Sequence, residues 1–577
     1  MKKIMPLPAS AAEMRARGWD QVDVVLVSGD AYVDHPSFGL ALIGRWLEAH
    51  GFRVAVLAQP RHDRPDDFHR FGRPRLFFGI SAGNLDSIVA NYSGNARVRD
   101  QDDYSPGGNP YFGDLAARNQ RRRPDRAVIV YANLARRVFA GVPLVLGGLE
   151  ASLRRFVHYD YQQEKPRDSI LADAKGDLLV YGMGERAVLE IARRLDAGRD
   201  LEGIAGTCER LTDKQKEARF AADPSRDCGP LLLPGRQAMQ ADPALFLEAE
   251  LAVDGHARAL AATPILQPQQ GVWLLQHPAA APLSPAELDR LYELPYSRRP
   301  HPEAGDVPAF RMVRDSITIV RGCCGNCSFC AIARHQGAVV VSRGRESILR
   351  EVATVAAQPG FHGTISDLGG PTANLYGAAC GLAGGGCKRH DCLYPQICRH
   401  LRLNEERLLE LLARASAVPG VKHLFVSSGL RMELLLRTPE LLRRLVAEHT
   451  PGALKIAPEH SEPEVLRLMH KPGPGLLADF IAALARIAAA SGKKIAVNPY
   501  LIASHPGCRE EDMKNLARQL RDLRLTPRQF QDFTPTPGTI ATAMYVSGRD
   551  RDSGRPLFVA RSRSQRRAQR QILEKIK

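Results

Sequence analysis

Residues 321–337 read RGCCGNCSFCAIARHQG, and their reading decides the second half of the chain. Four of the chain's eleven cysteines fall within eight residues here. Cys323, Cys327 and Cys330 have the spacing C-x3-C-x2-C. Three thiolates on one tight loop suit three irons of a [4Fe–4S] cubane and leave the fourth iron open. Gly322 and Gly325 let the backbone wrap an inorganic core. Two other assignments compete. Cys324, Cys327 and Cys330 give C-x2-C-x2-C, the bacterial ferredoxin spacing, which expects a further Cys followed by Pro. The chain continues AIARHQG instead. Zinc also takes C-x2-C pairs. The surroundings of the loop decide.

Downstream, apolar runs recur with helical stretches between them. The runs are SITIVRG (316–322), GTISDLGG (363–370), KHLFVSSG (422–429), ALKIAPE (453–459), KKIAVNPYLI (493–502) and RQFQDFTPTP (528–537). The helical stretches include RESILREVATVAAQ, EERLLELLARAS, PELLRRLVAEH and GLLADFIAALARIAAASG. Six β/α units predict a partial (β/α)6 TIM-type barrel, whose chemistry belongs at the carboxyl ends of the strands. The cysteine loop follows the first of those strands. Glu459, His460 and His505 also fall at strand ends, and Lys455 lies on a strand; none is assigned a catalytic role.

Upstream, VDVVLVS (22–28), RVAVLAQ (53–59), RLFFGIS (75–81), VPLVLGG (142–148) and DLLVYGMGE (177–185) alternate with helical segments such as FGLALIGRWLEAHG. This pattern predicts a doubly wound parallel sheet, flavodoxin-like in class, with ligands outside the carboxyl strand ends. It resembles the cobalamin-binding domain fused to many radical enzymes. That domain carries Asp-x-His-x-x-Gly after its first strand. Here the loop is Asp34-His35-Pro36-Ser37-Phe38-Gly39, so the His follows the Asp directly. The resemblance implies the fold, and the altered spacing argues against cobalamin. Asp34, His35 and the glycine-rich ends at Gly147-Gly148 and Gly182-x-Gly184 are expected to face one ligand. LSPAELDRLYELPY (283–296) has a capping-box start at Ser284 and Glu287 and is expected to strap across the following domain.

The cysteine loop with its barrel resembles the radical S-adenosylmethionine superfamily, whose motif is C-x3-C-x-aromatic-C; Phe329 supplies the aromatic. The resemblance implies that Gly369 and Gly370, in DLGGP after the second strand, meet the methionyl amino group. It also implies that Ser427, Ser428 and Arg431, after the third, meet the ribose and carboxylate. QDFTPTPGTIATAMY resembles the last barrel strand of methylthiotransferase-like members. Over residues 20–577, GDAYVDHPSFG, LGGLEASLRR, YDY, LLVYGMGERA, LPY, RGCCGNCSFC, HQG, GPTANLYG and YPQIC together resemble the YgiQ-type (UPF0313) radical S-adenosylmethionine family. That resemblance implies a [4Fe–4S] cluster and S-adenosyl-L-methionine as cofactors. It implies a one-electron donor such as a flavodoxin or ferredoxin. It implies reductive cleavage to a 5′-deoxyadenosyl radical that abstracts hydrogen from substrate. Cys324 is then expected to be a bystander.

A second set, Cys380, Cys387, Cys392 and Cys398, follows the second strand with spacings x6, x4 and x5. It reads as a second metal site, open between zinc and another iron–sulfur cluster, with His390 or His400 as substitute ligands. The expected organisation is a Rossmann-like domain over 1–200, a connecting segment over 201–310, the barrel over 311–540 with a Cys-rich insertion at 376–400, and a basic tail over 541–577.

The 577-residue chain is 44% hydrophobic and 25% charged, an ordinary globular composition. No apolar run approaches the roughly 18 residues of a membrane span, so no membrane partner is expected. The start, MKKIMPLPASAAEMRARG, is broken by Pro6 and Pro8 and does not read as a signal peptide. Clustered, odd-numbered cysteines point to a reducing, cytoplasmic setting rather than a disulfide framework. The net charge of +16 and the end RSRSQRRAQRQILEKIK, with seven basic residues and one acid, point to RNA or another polyanion. The N-terminal domain points instead to a small-molecule substrate. The alternative to an enzyme is a non-enzymatic metal-cluster protein that binds nucleic acid or acts as a scaffold.

Overall fold

The computed structural model describes residues 4–113, 120–220, 229–382, 387, 389, 391–492 and 495–576. The chain forms two compact units. The first holds Met1–Ala281, Leu294–Arg314 and Thr536–Gly538; the second holds Pro282–Glu293, Asp315–Pro535 and Thr539–Lys577.

The first unit is built on the parallel strands Val24–Ser28, Val54–Ala58, Phe77–Ser81, Leu144–Leu146 and Leu178–Val180. Taken as strands one to five, they lie in the spatial order 2-1-3-4-5. That is the flavodoxin-like order, with its switch point between strands one and three. Every residue of Val24–Ser28 is buried. Contiguous β-branched and aliphatic residues suit a strand covered by helices on both faces. Residues expected as a connecting segment extend this same sheet. Thr207–Leu211, Val272–Gln276 and Ile265–Gln269 add antiparallel strands, and Leu231–Leu232 closes the edge. The Gln and Pro residues of ILQPQ hide its strand character, yet Gln267 is buried and accepts from Val157 N–H at 2.8 Å.

At the switch point a shallow recess is lined by Ser28, Asp30, Tyr32, Phe38, Gly83 and Asn84, among others. Asp34 and His35 are not offered to it. Asp34 is fully buried, bound to Arg45 and to Ser297 N–H at 2.8 Å. His35 is fully buried, edge-on to Phe310, and its Nδ1 accepts from Ser37 N–H at 3.1 Å. A fully buried imidazole whose Nδ1 is already engaged could not reach a cobalt, so these residues do not fit cobalamin ligation.

In the second unit, Ser316–Thr318 pairs in parallel with Asp367–Gly369, and Thr364–Ile365 with His423–Leu424. Ala453–Glu459, Ala496–Ala503 and Gln529–Asp532 form a three-stranded parallel sheet. The helices Arg345–Ala356, Glu405–Ser416, Pro439–Glu448, Gly475–Ser491 and Glu510–Asp522 alternate with these strands. This is the partial six-fold barrel. Leu454 and Ile456 are buried while Lys455 between them is exposed, the period-two pattern of a strand with a covered and an open face. The helix Pro285–Tyr292 has the expected capping box and lies in this unit. Its Asp289 accepts from Gly344 N–H at 2.9 Å, and Tyr292 lies under the Arg321 and Arg343 guanidinium groups.

The basic end folds into the helix Arg563–Glu574. Arg566 donates to the Phe533 carbonyl, Gln569 donates to the Cys508 carbonyl at 2.8 Å, and Arg561 donates to the Tyr545 carbonyl at 2.6 Å. Arg570 pairs with Asp532 and Glu574. Arg561, Arg566 and Arg570 thus help to hold this helix in place. Among the described residues, no helix is long and apolar enough to cross a membrane.

Candidate metal centre and cofactor site

The loop that carries Cys323, Cys327 and Cys330 starts after Val320–Arg321, a short strand that follows the first barrel strand Ser316–Thr318. Gly322 is at φ +78°, and a Cβ there would lie 2.0 Å from the Val339 carbonyl oxygen, so only glycine turns the chain here. Cys323 N–H donates to the Gly337 carbonyl at 3.2 Å, and Cys330 N–H donates to the Cys327 carbonyl at 3.0 Å. The three thiols are half-buried. Among the described residues, no three His, Cys, Asp or Glu side chains converge closely enough to share a single metal ion. A cubane needs another arrangement, one thiolate for each of three irons, and this loop offers that donor set.

Two side chains from distant elements fix the loop. The Arg431 Nη1 and Nη2 atoms each lie 3.7 Å from Cys327 Sγ, and Nε donates to Glu433 Oε1 at 2.6 Å. Burial pulls the Arg431 pKa down, but Glu433 and the Cys327 and Cys323 sulfurs outweigh it and hold the guanidinium charged. Ser328, between two of the cysteines, is bonded through its hydroxyl to His505 Nε2 at 3.1 Å, and His505 Nδ1 is 2.8 Å from the Pro506 carbonyl. A neutral ring protonated at Nδ1 satisfies both contacts. Phe329 packs edge-on to the same imidazole. Burial pushes the Cys330 thiol up to about 12, with Cys327 adding to it; a bound metal reverses that preference.

Cys324 departs from the bystander expectation in one respect. It is buried and hydrogen-bonded to Cys392, which, ahead of burial, pushes its thiol pKa far up. Cys392 N–H also donates to the Cys324 carbonyl at 3.2 Å. The insertion thus folds back on the loop, with Leu393 packed against Cys324, Leu375 and Leu434. Of the second cysteine set, Cys380 and Cys387 are exposed, and Cys392 and Cys398 are half-buried. The structure does not bring these four around one ion; it joins Cys392 to Cys324 and, through the backbone, to Cys398. His390 lies outside the described residues.

The ends of the second and third strands form one surface. The Asp367 carboxylate accepts from Ser427 N–H at 2.8 Å and Ser428 N–H at 3.1 Å, and Ser428 Oγ accepts from Gly370 N–H at 3.2 Å. Burial raises the Asp367 pKa despite these bonds. A Cβ on Gly369 would meet Ser428 Oγ at 1.8 Å, and one on Gly370 would meet the Val320 carbonyl oxygen at 2.5 Å. The two glycines are therefore needed for this close approach.

Sequence reasoning missed Asn374 and Glu433. Asn374 brackets Arg431, accepting from its N–H at 3.1 Å and donating to its carbonyl at 2.9 Å. The only sequence signal was its place in GPTANLYG. Glu459 stands at the end of the fourth strand with φ +66°, buried, with Oε2 unpartnered among the described residues. Burial raises its pKa, and Lys471 and Arg431 oppose that rise.

The buried histidines predict an acid transition. Burial lowers the His505 pKa to about 4 and that of His460 to about 3, against an ordinary value of 6.5. The unfolded chain protonates these rings first as pH falls below 6.5, while the folded chain resists. Stability of this unit is therefore full above that value and declines as pH drops towards 4. Melting in a pH series should show that decline, and the pair His460→Gln and His505→Gln should flatten it.

Residues 6–316 match the family model described as Radical SAM N-terminal, and residues 317–520 match that of the Radical SAM superfamily. A UPF0313 protein of Geobacter sulfurreducens is 45% identical over 98% of this chain and 92% of its own length. A UPF0313 protein of Thermotoga neapolitana is 46% identical, over 97% and 96% respectively. Among solved structures, the radical S-adenosylmethionine methyltransferase TsrM of Kitasatospora setae, with cobalamin and a [4Fe–4S] cluster bound, aligns at a TM-score of 0.50 and 18% identity. That alignment covers 89% of this chain and 76% of TsrM, and it bears on the fold alone.

Proposed function

We propose, from the premise that this chain belongs to the UPF0313 family of the radical S-adenosylmethionine superfamily, that it is an enzyme that cleaves S-adenosylmethionine reductively, with Cys323, Cys327 and Cys330 as the residues that would hold the cluster. The observation that carries the reading is the three-thiol loop, closed at Gly322 and braced by Arg431 and His505. When bound, the cluster and S-adenosylmethionine supply one-electron cleavage of the C5′–S bond and hydrogen abstraction from substrate.

The chain's own residues bind, orient and shield. Cys323, Cys327 and Cys330 would each hold one iron of the cluster. Gly369 and Gly370, without side chains, would leave their backbone open to the methionyl amine. Ser427 and Ser428, whose backbone is pinned by Asp367, would meet the ribose and carboxylate. Phe329, packed on His505, keeps one side of the loop dry. An external one-electron donor of the flavodoxin or ferredoxin class delivers the electron.

The test is anaerobic reconstitution with iron and sulfide, then dithionite and S-adenosylmethionine, with 5′-deoxyadenosine measured by mass spectrometry. Product that requires both the cluster and the reductant is expected. A protein with a full, reducible cluster that neither binds nor cleaves S-adenosylmethionine would overturn the reading.

A further inference from the structure

We propose that Arg431 raises the reduction potential of the cluster through a forked N–H···S contact to Cys327. This rests on the radical reading above and assigns the side chain a task other than cofactor contact. Both terminal nitrogens of the guanidinium are 3.7 Å from one sulfur, Cys327 Sγ. The third nitrogen is tied to Glu433 Oε1 at 2.6 Å, so the fork cannot swing away. The backbone of Arg431 is held on both sides by Asn374. The side chains of Arg431 and Glu433 are 11% and 8% exposed, so water does little to screen the charge. Gly325 makes room for it, since a Cβ there would lie 2.7 Å from Arg431 Nη1.

The electrostatics give the sign. A cubane in its 2+ state with three thiolates carries one net negative charge, and the incoming electron makes it two. A fixed cation with two N–H groups on one of the sulfurs stabilises the more negative state. Hydrogen bonds to the sulfurs and net charge are among the terms that set such potentials. Glu433 partly offsets the cation at long range, but it sits on the Nε side and leaves the fork pointed at Cys327. The electron is the only species transferred in this step. It comes from the external one-electron donor, and no bond forms or breaks at Arg431.

The experiment compares reconstituted full-length wild type with Arg431→Met, Arg431→Gln and Arg431→Lys, without S-adenosylmethionine, in a potentiometric titration followed by electron paramagnetic resonance. Iron and sulfide content and the wild-type signal report on the radical reading; the displacement between wild type and variants reports on Arg431. At a fixed solution potential, the ratio of reduced to oxidised cluster is expected to fall about tenfold in the Met and Gln variants, equivalent to about 59 mV for one electron. The Lys variant keeps the charge and loses the fork, so its ratio falls by less. Loaded neutral variants that titrate with the wild type overturn the proposal. If the neutral variants take up no cluster, the Lys variant decides: a lowered ratio supports the proposal and an unchanged one overturns it.

Discussion

Alanine at any one of Cys323, Cys327 and Cys330 is expected to abolish the cluster iron and the 5′-deoxyadenosine that depends on it, while Cys324→Ala keeps both. Each of the three thiols leads to a different iron, so two thiolates leave a second iron bare and open to solvent. Changes to groups that merely support a metal ligand cost about 10–100-fold in affinity or activity. Loss of a ligand is expected to exceed that range. Cys324 differs although it is adjacent in sequence. Its thiol is bonded to Cys392, and that bond with burial keeps the proton on. The metal ligand is the thiolate, not the thiol. Cys324→Ala also removes a contact of the apolar cluster with Leu375, Leu393 and Leu434, so modest destabilisation with full iron content is expected. Iron and labile sulfide assays on the four single variants check this. If Cys324→Ala lost the iron while Cys323→Ala kept it, the ferredoxin-type spacing would be the true one and the barrel assignment would lose its anchor.

The sequence made some of this architecture legible because local patterns carried it. ALKIAPE at 453–459 coincides with the strand Ala453–Glu459, and GLLADFIAALARIAAASG with a helix that stops at Gly492 in the left-handed region. Each needs only a period or a cap to be read. The sheet extension through Ile265–Gln276 was not legible, since its buried glutamines disguise a hairpin. The braces of the cysteine loop were not legible either. Ser328 and His505 are 177 residues apart, and Arg431 is 104 residues from Cys327. No spacing rule spans such distances; the barrel closes them. Arg431 was visible as a polar residue after the third strand. Glu433, which no motif had marked, directs its guanidinium, and Asn374, visible only as part of GPTANLYG, holds its backbone. The basic end read as a tail because charge alone gives no partner, yet its helix is seated by Arg566 and Gln569.

Arg123→Met is expected to destabilise the N-terminal unit severely while leaving the cysteine loop's residues untouched. Arg123 is 1% exposed and fills the space between two buried carboxylates, with Nη2 at 2.6 Å from Asp30 Oδ1 and Nη1 at 3.0 Å from Asp102 Oδ2. Methionine nearly conserves the volume, so the effect isolates charge. Removing one partner of a buried ion pair costs about 3–5 kcal/mol, because the remaining charge is left desolvated. Against a total domain stability of about 5–15 kcal/mol this is a large fraction. At about 2–4 °C per kcal/mol for a unit of this size, the first unfolding transition should fall by roughly 10 °C. The pH dependence identifies the cause. Burial already raises Asp30 to about 6, with Arg123 restraining the rise. Without Arg123 the folded-state value climbs further above the unfolded 3.8. A carboxyl raised in the folded state carries its penalty only where it must ionise, so the deficit is small in acid and grows as pH rises towards the folded value. The gap in melting temperature between wild type and variant should therefore widen from acid to neutral pH. Adding Asp30→Asn to Arg123→Met should close part of it. A gap that stays constant with pH would assign the loss to packing rather than to the uncompensated carboxylates.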